Sequence, residues 1–158
     1  MDPLDMYKVT PLSAMVGDDE EDTALLRQMS AEARCYLSGH EWCRGILEGY
    51  FGLGVGGVVA VFLFRIVPSR QDVDQFVWVV VGDVPPLYIT TEDAPNPASA
   101  LDGYIGAMEV WADAAVNMKS LEGLPPVSAA ATPANGLALK RRLEFIDKRV
   151  LSEYTDDL

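Results

Sequence analysis

Histidine is almost missing from this chain of 158 residues: His40 is the only one. Chemistry that needs an imidazole base therefore stands or falls with one side chain. Cysteine is nearly as scarce, with Cys35 and Cys43 alone. Two thiols cannot build a disulfide framework, and with one histidine they fall short of the usual four zinc ligands. Basic residues are few, 12 against 24 acids, for a formal charge of -12. Such a field repels phosphate, which argues against nucleic acid and anionic membranes as partners. Long apolar runs are also lacking. The longest uncharged apolar run, residues 49–64, holds 16 residues with glycine at 49, 52, 54, 56 and 57, whereas a membrane helix needs about 20 apolar residues. The start, Met1-Asp2-Pro3-Leu4-Asp5, shows neither the basic nor the apolar region of a secretory signal. A cytoplasmic protein with reduced thiols is the expectation.

What is present is a sizeable apolar fraction, 49%, in a mass of 17.2 kDa. That suffices for one folded domain. Residues 1–22 carry seven acids and one base. The block Asp18-Asp19-Glu20-Glu21-Asp22 has nothing apolar to bury, so this segment is expected to be a mobile acidic tail. Residues 23–152 read as a single domain and 153–158 as a short C-terminal tail.

Leu25, Leu26, Met29, Ala33, Tyr36 and Leu37 recur at helical spacing. Ser38-Gly39-His40-Glu41 matches a capping box, which predicts a short second helix through Trp42, Ile46 and Leu47. Residues 55–66 and 75–81 are β-branched and aromatic runs, and 87–91 reads as a third strand. Their near lack of alternation requires cover on both faces. Asn96-Pro97 and Thr132-Pro133 each combine a cap with a first-turn proline, opening two further helices. The predicted order is α-α-β-β-β-α-α: an α+β domain with a three-stranded antiparallel β-meander packed with flanking helices. Residues 55–66 would then form a long apolar edge strand. An edge of this kind recruits a second copy, so a homodimer is expected.

No motif fixes a reaction. Gly52-Leu53-Gly54-Val55-Gly56-Gly57 contains a literal GxGxxG. The dinucleotide fingerprint, however, needs a strand before it and a helix after it, and here the order is reversed. Cys35, His40 and Cys43 match no common zinc spacing. His40 and Cys43 are the only candidates for nucleophilic catalysis, without a local oxyanion or orienting signature. The expectation is no catalytic residue, no metal and no cofactor. The clearest feature is electrostatic. Between Arg70 and Lys119 there is no Lys or Arg, while Asp72, Asp74, Asp83, Glu92 and Asp93 lie in its turns. These five are the candidate partner-binding residues, and a basic protein is the expected partner. The basic cluster Lys140, Arg141, Arg142, Lys148 and Arg149 is confined to the last helix. The expected role is a small acidic protein-binding module of the inhibitor, immunity or antitoxin kind, an analogy from size and charge. The alternative is a small enzyme or ligand-binding protein with a pocket near His40, Cys43 and the 52–57 turn.

Overall fold

The structure is a computed structural model and describes residues 4–158. Helix α1 spans Glu20–Ser38. A five-stranded antiparallel sheet follows chain order: β1 Thr10–Pro11, β2 Cys43–Val55, β3 Val59–Pro68, β4 Phe76–Gly82 and β5 Val84–Thr90. Helices α2, Pro97–Val116, and α3, Pro133–Arg149, complete the chain with a 3-10 helix at Leu151–Asp157.

The α+β class holds, but the three-stranded meander does not: the sheet has five strands. The segment expected as a second helix is instead β2, the longest strand. Gly45, Gly49, Gly52 and Gly54 recur along it, and each would cost a helix about 1 kcal/mol relative to alanine. Its glycines also serve close packing. A Cβ on Gly52 would lie 2.7 Å from Pro97, at the start of α2. The capping-box letters are absorbed differently. Ser38 ends α1, Gly39 is its C-cap, and a turn leads into β2. Residues 55–66, expected as an edge, fall mostly in β3, which lies between β2 and β4. The edge argument for a second copy therefore loses its premise.

Both faces of the sheet are covered, giving three layers. Strand alternation sorts the side chains. Val59, Val61, Leu63, Trp78 and Val80 face α2 and α3. Ala60, Phe62, Phe64, Val77, Val79 and Val81 face α1. All of these are buried. Helix α3 lies close on α2 because Gly136 has no Cβ, which would fall 2.7 Å from the Ala112 carbonyl oxygen.

Of the acidic segment, residues 1–3 lie outside the described residues; the remainder runs along the body. Thr10 and Pro11 pair with Phe51 and Tyr50, and Met15 is 2% exposed against the α1-side core. Asp19 caps α1 by accepting from the Asp22 N–H at 2.7 Å. Asp22 in turn accepts from the Gly56 N–H at 2.6 Å, tying α1 to the β2–β3 turn. Carboxylates at a helix start satisfy free N–H groups and complement its dipole, which gives this charge block a structural use. At the other terminus, the Asp157 carbonyl accepts from Asn96 Nδ2 at 2.8 Å, and its carboxylate pairs with Lys8 at 3.0 Å.

Candidate functional site

The turn between α1 and β2 carries His40 into a cluster of rings. His40 lies 4.8 Å from Tyr36, 4.9 Å from Trp42 and 5.3 Å from Tyr88 between centroids; Trp42 and Tyr88 are 4.8 Å apart. These are contact distances, so the rings fill the space between them. His40 Nδ1 is 3.0 Å from the Tyr36 carbonyl oxygen, a position that suits an Nδ1–H donor. Burial pushes the Tyr36 phenol up. All four rings are half-buried.

Cys43 belongs to a different environment. It is buried in the α1-side core, with Sγ 3.7 Å from the Gly45 carbonyl oxygen. Burial raises its thiol pKa, which reduces the thiolate available as a nucleophile. The link between His40 and Cys43 is a backbone hydrogen bond of 3.1 Å from the Cys43 N–H to the His40 carbonyl. Among the described residues no hydrogen bond joins their side chains. Cys43 begins β2, and Gly52 to Gly57 cover its last residues and the turn that follows. At about 3.3 Å per residue, a strand of that length separates the two groups by tens of ångströms. Among the described residues, no group of three or more His, Cys, Asp and Glu could hold a metal ion.

The GxGxxG letters form the end of β2 and the hairpin turn into β3. Gly56 donates its N–H to Asp22, and Gly52 admits Pro97. These contacts account for the glycines as packing and turn residues.

The five carboxylates divide between the two ends of the sheet. Asp72 and Asp74 lie in the β3–β4 connection, Glu92 and Asp93 in the β5–α2 connection. Arg65 pairs with Phe76 and Val77 with Thr90, so both connections leave the same end. The ring cluster is at that end too. Cys43 pairs with Pro68, and the Ser69 N–H donates to the Trp42 carbonyl at 3.0 Å. Val73, between the two aspartates, packs on the same side of the sheet as Tyr36, Trp42 and Tyr88. All four carboxylates are exposed, as is Glu41. Arg70 answers one of them, Asp72, at 3.3 Å. Asp83 is at the opposite end, in the β4–β5 turn, where it accepts from Arg142 Nε at 3.1 Å. The capping-box letters at Ser38–Glu41 put Trp42 on a helix, and on a helix it does not meet Tyr88 as it does here. The spacing of Tyr36, His40 and Trp42 around a glycine was the available signal.

The opposite end holds a cleft of about 270 Å³ between α3 and the two turns at 56–58 and 82–84. Arg141, Arg142, Phe145 and Ile146 line it from α3, and Val58 and Val84 from the turns. Most of the basic cluster on α3 is neutralised. Lys140 pairs with Asp113, Arg142 with Asp83, and Lys148 with Glu144. Among the described residues Arg141 and Arg149 have no carboxylate within salt-bridge distance.

Compared with known proteins, the chain matches no family model, no curated protein and no solved structure. No helix among the described residues is long and apolar enough to cross a membrane.

Proposed function

We propose that this chain is a protein-binding module that engages a basic partner through the end of the sheet bearing Asp72, Asp74, Glu92 and Asp93. The observation supporting this reading is the meeting of exposed carboxylates with half-buried Trp42, Tyr36 and Tyr88 at that end. Aromatic side chains supply contact area at little entropic cost and are enriched at interfaces. A rim of one charge sign steers a partner of the other and raises the association rate. Asp83, on the far end and bound to Arg142, is not part of this surface.

The test is a comparison of proteins retained from the native cell by two forms of the chain. One is the unaltered protein. The other carries Asp72→Lys, Asp74→Lys, Glu92→Lys and Asp93→Lys. A control carries Asp102→Lys and Glu109→Lys, on the exposed side of α2. A basic protein held by the first and the control, and lost by the fourfold variant, supports the reading. Its purified affinity should fall steeply with salt. An identical retained set for all three forms refutes it.

A further inference from the structure

The cleft at the other end of the sheet has three properties that together define an occupant. Part of its wall is apolar: Val58, Val84, Phe145 and Ile146 line it beside the Asp83–Arg142 ion pair, and Phe145 keeps half its surface exposed. Arg141 lines it without a carboxylate partner among the described residues, in a chain where acids outnumber bases two to one. Its volume, about 270 Å³, lies below the roughly 300–1,000 Å³ of sites that enclose a whole small-molecule ligand.

We propose that this cleft captures the C-terminal residue of a partner polypeptide, with an apolar side chain between Val58, Val84 and Phe145 and the terminal carboxylate on Arg141. The walls take apolar surface out of water, and the planar guanidinium fork matches a carboxylate with two parallel N–H donors. Arg142 cannot serve equally, because Asp83 already occupies its Nε. The apolar lining sets the specificity, because a terminal apolar side chain gains by leaving water there whereas an acidic one would lose its hydration with no second unpaired cation to meet it. The volume is of the order of one large side chain, and the open side of the cleft leaves room for the chain that precedes it. This site stands independently of the acidic end, since it shares no residue with it.

The probe is the hexapeptide Gly-Ser-Gly-Ser-Gly-Leu, titrated into the isotopically labelled full chain and followed by backbone amide NMR shifts. The free-acid peptide should give saturable shifts at Gly57, Val58, Val84 and Phe145, and its C-terminal amide should bind about tenfold more weakly. Arg141→Gln should lose about tenfold with the native spectrum otherwise retained, because the side chain is exposed. Arg149→Gln, which removes a cation of α3 that lines no part of the cleft and has no carboxylate partner among the described residues, should leave binding unchanged. Four results each overturn the proposal: no saturable shift up to about 5 mM peptide, equal binding of the amide, an equal loss in the Arg149 variant, or hexanoate binding as tightly as the peptide. The last would show a site for apolar acids in general.

Discussion

Tyr104 shows what burial does to one polar atom. Its ring is fully covered between α2 and the sheet, and its hydroxyl donates to the Pro85 carbonyl at 2.5 Å. That bond satisfies an edge strand whose two prolines donate nothing. Burial holds the phenol well above the ordinary tyrosine range. The folded state thus binds this proton more tightly than the unfolded chain. The stabilisation is complete below the ordinary tyrosine pKa near ~10 and declines as pH rises beyond it. Tyr104→Phe should cost about 1 kcal/mol near neutral pH and flatten the loss of melting temperature above pH ~10. Thermal melts across an alkaline series test both parts. The two thiols make a second contrast, since Cys35 is exposed and Cys43 is buried with a raised pKa. Iodoacetamide at neutral pH should modify Cys35 at least about tenfold faster, as read by peptide mass spectrometry over time. Equal rates would mean that Cys43 is open to solvent.

Strand β2 is the element on which expectation and structure part most clearly. Its glycines look like loop or helix-ending letters, and nothing within the segment reveals that α2 will lie against Gly52. Helices α2 and α3 were legible because their signals are local: Asn96-Pro97 and Thr132-Pro133 cap the helices they were expected to open. Strands β3 and β4 were legible from their unbroken apolar runs, as was the need for cover on both faces. The two-residue β1 has too few side chains to leave a pattern, and its existence depends on pairing with β2. The candidate site divides along the same line. Carboxylates in turns could be read one by one, whereas which turns share an end depends on strand order. Glycine substitutions separate packing from propensity. Gly52→Ala would force a Cβ against Pro97 and the Val61 carbonyl, costing about 1–3 kcal/mol. Gly103 is exposed on α2 with nothing within 4 Å of a Cβ, so Gly103→Ala should stabilise by about 0.5–1 kcal/mol. Denaturant titrations of the two variants should move in opposite directions.

At the scale of the whole molecule, charge repulsion opposes a core that is otherwise well satisfied. Among the described residues no buried side-chain nitrogen or oxygen lacks a hydrogen-bond partner. The net charge of -12 remains after the surface ion pairs are made. Those pairs are exposed and individually weak, so screening should relieve more repulsion than attraction. The melting temperature should rise between about 10 and 150 mM sodium chloride; a fall would show that the surface ion pairs outweigh the repulsion. The chain-order meander bears on the time the molecule needs to form. From β2 to β5 every strand pairs with its successor through a short connection, at 56–58, 69–75 and 83. Each pairing therefore closes a small loop, and the entropic barrier to closure grows with loop length. The sheet can grow hairpin by hairpin, before the contact from Asp22 to Gly56 locks α1 across it. Stopped-flow fluorescence of buried Trp78 and Trp111 should show the main refolding phase within milliseconds to tens of milliseconds, faster than sheets assembled from distant strands.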